Sequence, residues 1–486
     1  MLERRKQPVG DRSETPPYRG ALLPKDPTLE TLRAILPDYE AMLISIMAAI
    51  ADRYDRTPDY PFIDTKLDLI TGSDFPADDP VRGPNAIYGW IQGRGLEALA
   101  GHCRWIRRRR LGPNLLPRLE RMMRDILSTL REIRSRNAGH LFFFMTPNGD
   151  PFLLDASGNP RKTTPAADAF YGFSDIFSAK GMYAAARYLK DDEAAAEALD
   201  YIRQVDDAIW QGTFVNDQQT LDPKDPVQVK PGCHFHGPYM IQIGTAALLA
   251  GYGNPDSVEL GLRLIRHELE HHVNLNGRIL DLMEYDFWEA NDDRGLPYRE
   301  DGKVISDPGH SLECVGLILK FTSMVKQHNL ADPKQRGEIA RVESLMPRLL
   351  ERSFANGYLP GAGGICKAFD LLSRKPVNTD MPWWNLPETM RTALYCWRLA
   401  KSDEGRRMSL HILRDCHNAF IGHFVRPDLH LMAYQTRSAS GAPIPVIPAT
   451  ADADPGYHTG LSIIDALDVI QEAASDGSRK DNVRRA

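Results

Sequence analysis

Phe170–Trp210 reads FYGFSDIFSAKGMYAAARYLKDDEAAAEALDYIRQVDDAIW, and the organisation of the whole chain is visible in it. Apolar residues recur at helical spacing on either side of Lys190-Asp191, which predicts helices over 166–189 and 192–212. The first helix opens on an unusual cluster, FYGFSDIF, whereas the second is plain.

The same alternation runs outward in both directions. Spacing, caps and breakers predict further helices at 29–52, 86–110, 113–136, 239–252, 256–275, 310–328, 335–355, 384–400, 403–423 and 459–474. Pro and Gly separate most of them, as in LGPN at 111–114 and GNP at 253–255. The unusual clusters are YGWIQGR near 92, FYGFSDIF near 174, PYMIQIG near 241, DPGH near 309, WWNLPE near 385 and PGYH near 457. Each lies at or near the start of every second helix. Twelve helices in this rhythm predict an all-α fold of six helical hairpins, an (α/α)6 barrel with an inner and an outer ring. Inner helix starts would then aim side chains and free N–H groups into one polar-aromatic mouth. Short excursions at 141–155, 279–300 and 429–447 read as strand pairs. The expected domains are a flexible segment over 1–27, a single barrel over 28–474 and a flexible tail over 475–486.

With 42% hydrophobic and 26% charged residues, the 486-residue chain has an ordinary globular composition. Its net charge of -6 argues against a general nucleic-acid binder. The first residues lack the apolar core of a secretory signal, and the run Ala41–Ala51 is too short to span a bilayer. Six scattered cysteines with no CxxC pair are no disulfide framework. These features predict a cytoplasmic protein without membrane or nucleic-acid partners; a homodimer stays open. Arg107–Arg110 reads as a basic helix end rather than a nucleic-acid patch.

Some residues carry chemistry. His310 follows Asp307-Pro308-Gly309 and opens a helix, with Glu313 one turn on along the same face. His458 follows Pro455-Gly456-Tyr457 in the same way. Two imidazoles at one mouth suit acid–base work on a carbon-bound proton. Tandem Trp383-Trp384 seldom serves a core; one ring suits stacking on a pyranose, and Glu388 lies a turn beyond. Arg94 is a cationic fork for hydroxyls or an enediolate oxygen. His267-Glu268-Leu269-Glu270-His271 matches HExxH, but it sits on a plain helix without a clear third ligand, so no metal is expected. His234 and His236 beside Cys233 read as a pocket-lining loop.

In this order the motifs resemble those of the N-acylglucosamine 2-epimerase family, which includes cellobiose 2-epimerases and aldose–ketose isomerases. The resemblance covers about 85–470: IQGR (91–94), FYGFSDIFSAKGMYAAARYL (170–189), DPGHSLE (307–313), WWNLPE (383–388) and PGYH (455–458). It implies a barrel and a cofactor-independent epimerase or isomerase acting on a mono- or disaccharide. It further implies that His310 and His458 move the C2 proton through an enediolate held by Arg94. Trp383, Trp384, Glu388, Glu313, His236, Glu284 and Tyr457 complete the expected substrate-binding set. Where the family often has Met-His-x-x-Glu, this chain has Met240-Ile241-Gln242-Ile243-Gly244, so Ile241 and Gly244 replace the His and Glu. Two alternatives stand beside this reading. One is a glycoside or unsaturated-uronyl hydrolase using paired carboxylates from Glu284, Asp286, Glu313 and Glu388. The other is a non-catalytic sugar-binding protein.

Overall fold

The structure is a computed structural model that describes residues 15–155, 157–166, 169–221, 230–447 and 449–485. Residues 1–14 of the expected N-terminal segment and Ala486 of the expected tail lie outside the described residues.

The chain is mostly helical. Its helices are α1 (Leu29–Ala34), α2 (Leu36–Arg56), α3 (Gly89–Arg109), α4 (Leu115–Arg136), α5 (Phe173–Leu189), α6 (Asp192–Trp210), α7 (Gly237–Gly251), α8 (Ser257–His271), α9 (Pro308–Gln327), α10 (Pro333–Gly357), α11 (Asn385–Leu399), α12 (Asp403–Ala419) and α13 (Ser462–Arg485). Every expected helix is present. The boundaries follow local chemistry. Asp191, Asp332 and Ser402 cap α6, α10 and α12 by accepting backbone N–H groups. Arg110 and Lys190 end α3 and α5 in the left-handed conformation. The expected 166–189 helix begins only at Phe173, and the last helix runs past 474 to Arg485.

Two kinds of helix alternate. α5 is buried without a break from Ser174 to Ala186, and α7 from Met240 to Ala250. By contrast, α4 buries Leu115, Leu119, Met122, Met123, Ile126, Leu127, Leu130 and Ile133, a stripe at three- and four-residue spacing. A helix apolar all round belongs inside, and a striped one covers it. The buried helices pack on one another in chain order: α3 on α5, α5 on α7, α7 on α9, α9 on α11 and α11 on α13. The turn at 457–461 that leads into α13 packs back on α3. The striped helices pair with buried ones: α4 with α3, α6 with α5, α8 with α7, α10 with α9 and α12 with α11. The α3–α5 crossing is close enough to require glycine on both sides. A Cβ on Gly181 would run into the Gly93 carbonyl oxygen, and a Cβ on Gly93 into the Phe177 backbone.

Distant parts of the chain are also tied directly. Buried Lys66 pairs with Asp452 at 3.0 Å, and the Thr65 hydroxyl donates to the Ala453 carbonyl at 2.9 Å. Near the N-terminus, Arg19 and Ala21 donate backbone N–H groups to Asp38 at 2.6 and 2.7 Å. The apolar run at 41–51 belongs to a longer helical stretch, Leu29–Arg56, which is long and apolar enough to cross a membrane. However, 72% of its most apolar window is buried inside the protein.

The strand excursions exist but pair differently from the expected local hairpins. The 141–155 turn retains only a Met145–Pro151 bridge, while 144–145 pairs with 87–88 and 152–154 with 160–162. Strands 375–378, 368–370, 303–306 and 299–300 make a four-stranded sheet over a small second core containing Trp288 and Phe369. Residues 290–291 pair with 234–235, and 436–437 with 381–382. Short apolar runs specify strand but not partner. All six cysteines are free. Arg107, Arg108 and Arg109 pair with Glu120, Asp468 and Glu40, so the basic run is spent on internal ion pairs.

Candidate functional site

His310 is placed by its helix start. Asp307 caps α9, accepting from the Gly309 and His310 N–H groups, and Pro308 sets the first turn. His310 Nδ1 lies 3.0 Å from Glu289 Oε1 and 3.4 Å from Asp307 Oδ2. Lys367 Nζ holds the same Asp307 oxygen at 2.6 Å. Burial disfavours charge on His310, but Asp307 and Glu289 outweigh it and hold the imidazole above its ordinary pKa.

His458 sits on the π-helical turn at 457–461, whose start is tied down by Asp454. That carboxylate accepts the N–H groups of Tyr457, His458 and Thr459. His458 Nδ1 lies 3.0 Å from Glu388 Oε1 and 4.0 Å from Glu313 Oε1. The other Glu388 oxygen accepts from Arg391. Burial raises the Glu388 carboxyl, but Arg391 and His458 pull it below the usual range. Glu313 goes the other way, pushed up by burial and by neighbouring Glu388.

The two halves meet on Trp384. Its indole lies 5.3 Å from the His310 ring at 26° and 5.5 Å from the His458 ring at 32°. Trp383 stands edge-on to His458 and donates its Nε1–H to Thr459 Oγ1 at 3.3 Å. Each Trp is only 7% exposed and belongs to the main hydrophobic core, so the tandem Trp does serve the core, against the expectation from the sequence. Arg94 approaches from α3. Its guanidinium lies 4.1 Å above Phe177 and within 5.7 Å of Trp90 and Tyr457. Its Nε is buried without a hydrogen-bond partner. Burial lowers its pKa, while Tyr457, Glu313, Asp454 and Glu388 oppose that. A desolvated cation facing aromatic rings is poised for an anionic oxygen.

No family model matches this sequence, and no curated protein matches it. Solved structures do. A cellobiose 2-epimerase from Bacillus thermoamylovorans B4167 aligns with a TM-score of 0.62 at 11% identity, over 90% of this chain and 99% of that one. One from Spirochaeta thermophila DSM 6192 aligns at 0.59 and 14% identity, over 92% and 98%. A D-mannose isomerase aligns at 0.55 and 12% identity, over 86% and 97%. The chain has the fold of the cellobiose 2-epimerases and D-mannose isomerase.

Where Gly244 stands in place of the expected Glu, it packs close to Lys180 and lines a cavity. A Cβ on Gly244 would meet Lys180 Nζ at 3.0 Å. Lys180 is buried, with Nζ 3.0 Å from Glu97 Oε2 and 3.1 Å from the Tyr457 hydroxyl. Sequence reasoning missed Lys180, although a cation within the otherwise uncharged stretch 176–186 was its visible signal. Below it, a cavity of about 310 Å³ lies between the buried helices, from Glu313, Glu388 and Tyr457 to Asp468 and His328.

His236 does reach the site. Its Nε2 is 3.4 Å from Glu289 Oε2, and its ring centroid is 5.9 Å from that of His310. Glu284 does not; it is exposed in the loop before Glu289, which corrects its expected place in the sugar-binding set. Asp286 is bound by Arg374 and Asn356 and supports the small second core. The acid this loop supplies to the epimerase-fold site is Glu289, which was missed because strand pairing of 290–291 with 234–235 brings it in. Of the HExxH residues, His267 stacks on Tyr239, whereas Glu268 turns inward to His236. Among the described residues, three groups bring possible ligand atoms within 4.8 Å of one another: His236, Glu268 and Cys314; His236, Glu289 and His310; and Glu313, Glu388 and His458. Each contains an imidazole–carboxylate pair.

Proposed function

We propose that this chain is a cofactor-independent sugar epimerase or aldose–ketose isomerase, built on an (α/α)6 barrel with α3, α5, α7, α9, α11 and α13 as the inner ring. The observation that carries this reading is the pair of imidazoles on Trp384, each with Nδ1 against a carboxylate, half-buried Glu289 for His310 and buried Glu388 for His458. Nδ1 engaged in this way leaves Nε2 to meet substrate. In the reaction, one imidazole removes the C2 proton of a ring-opened aldose. Arg94 stabilises the enediolate oxygen. Return of the proton by the other imidazole to the opposite face of C2 gives the epimer, and its delivery to C1 gives the ketose. The fold's relatives named above, two cellobiose 2-epimerases and a D-mannose isomerase, agree with a saccharide substrate. The test is incubation with a panel of aldoses and cellobiose in D₂O, with deuterium read at C2 and C1. Absence of exchange in every sugar would rule the reading out.

One observation favours a second reading. Glu313 and Glu388 lie side by side, one held above the ordinary carboxyl range and the other below it. Divergent carboxyl pairs of this kind serve glycoside hydrolysis, one as acid and one as nucleophile or base. Reducing-end release from oligosaccharides that is lost in Glu313→Gln but kept in His310→Asn would select hydrolysis over proton transfer.

A further inference from the structure

Behind His310 lies a row of groups, half-buried Glu289 and buried His236 and Glu268, that the C2 chemistry does not itself require. Glu289 presents one oxygen to His310 Nδ1 at 3.0 Å and the other to His236 Nε2 at 3.4 Å. His236 presents its second nitrogen, Nδ1, to Glu268 Oε2 at 3.3 Å. Both ring nitrogens of His236 therefore face carboxylates. A neutral imidazole carries one N–H and can satisfy only one of them. His236 and Glu268 are fully buried, where two like-charged carboxylates around a neutral ring would be costly. The two His236 contacts are at ion-pair distance without a completed hydrogen bond, and an added proton would make two buried carboxylates around one ring favourable rather than costly.

We propose that Glu268, His236 and Glu289 form a proton-storing relay that fixes His310 with its proton on Nδ1 and its Nε2 toward the mouth, and so makes His310 the acid of the pair. The relay members are positioning residues. In the transfer step, His310 gives the proton on Nε2 to the enediolate carbon, and the bond from nitrogen to hydrogen breaks as the bond from carbon to hydrogen forms. His458, held on Glu388, is left to take the first proton. The charged groups around His310 all bear on its titration. They are Glu289, Asp307 and Glu313 as anions, and Lys367 and His236 as cations. Asp307, held by Lys367 at 2.6 Å, is the anion with the larger effect on His310, and Glu289 is the one that links it to His236. Glu289 is itself pulled down by His310 and His236 against the effect of burial, and His236 is held well above the ordinary imidazole range by Glu268 and Glu289 against burial. The relay rests on the epimerase reading only for the use to which its proton is put.

The test uses the full chain with isotopically labelled histidine and no substrate. Imidazole NMR signals, assigned through His310→Asn and His236→Asn, are followed from about pH 5 to about pH 9. His310 should titrate above about 6.5. Glu289→Gln should lower its midpoint by about one pH unit or more, because an opposite charge this close typically contributes that much. Glu268→Gln should lower the His236 midpoint and move His310 less. Glu284→Gln, on the exposed neighbour, should change neither. A His310 midpoint that stays put in Glu289→Gln overturns the proposal. If Glu289→Gln does not fold, by circular dichroism, the test passes to Glu268→Gln, and an unmoved His236 midpoint overturns it. A midpoint that shifts on adding EDTA places a cation where the proton is proposed, and that too overturns the relay. The titration needs no sugar, so the relay can stand where the C2-exchange test fails, and the reverse.

Discussion

His310 and His458 come from helix starts nearly 150 residues apart, yet both rest on one indole, Trp384, at 5.3 and 5.5 Å. Trp384 therefore sets the distance between the two imidazoles. Trp384→Phe should keep the fold and lower kcat by about ten- to a hundredfold, the usual scale for misplaced reacting groups. KM should change less. Steady-state kinetics on the sugar found by C2 exchange checks this.

Removing either imidazole is the sharper change. His310→Asn and His458→Asn should each lower turnover by about 10²- to 10⁴-fold, the range of general acid–base catalysis. Both should melt as cooperative, folded proteins. Deuterium wash-in at C2 should persist in at most one of them, because only one imidazole takes the first proton.

Arg94 sets function against stability. Its side chain is half-buried and its Nε is buried without a hydrogen-bond partner. Arg94→Met should lower turnover by about 10²-fold or more, the scale of losing one oxyanion donor. It should leave Tm unchanged or raise it, since a buried charge is removed and the aromatic contacts are kept. A fall in Tm together with activity would show that Arg94 serves the fold instead.

Gly244 and Lys180 should be coupled. Gly244→Ala brings a Cβ to within 3.0 Å of Lys180 Nζ, whose partners are Glu97 and Tyr457. Displacing that ammonium should destabilise by about 1–3 kcal/mol, the scale of a buried polar group losing its partner. Lys180→Met should make the same Gly244→Ala change much milder. Urea melts of the four-protein cycle measure the coupling.

Stability should also respond to pH in a defined direction. His236 and His310 are both raised in the folded protein above the ordinary imidazole value near 6.5. A raised histidine stabilises fully below its unfolded pKa, and that contribution is lost as pH rises through the folded value. The wild-type chain should lose stability between about pH 6.5 and about pH 9, and His310→Asn should lose less over the same interval. Urea midpoints at the two ends of the interval decide it.

How much of this was legible in the sequence depended on distance along the chain. Helices and their caps are local, so the alternation of marked and plain helices emerged from apolar spacing and breakers. His310, His458 and Trp384 were legible for the same reason, since Pro-Gly turns and a tandem Trp mark helix starts. Glu289 was not. It lies in the same loop as Glu284, and only the pairing of 290–291 with 234–235 separates the half-buried acid from the exposed one. The strand at 144–145 likewise finds its partner at 87–88 rather than across its own turn. Pairing between distant short strands is a tertiary event that periodicity does not encode.

The ties between Lys66 and Asp452 and between Thr65 and Ala453 join segments almost four hundred residues apart. Loop closure over that span is entropically unfavourable until both segments exist. A chain emerging from the ribosome makes His310 well before His458, so neither the two-imidazole cluster on Trp384 nor the tie to Asp452 can form until the segment around 452–458 has been made. Closure of the fold and assembly of that cluster therefore belong to the same late event.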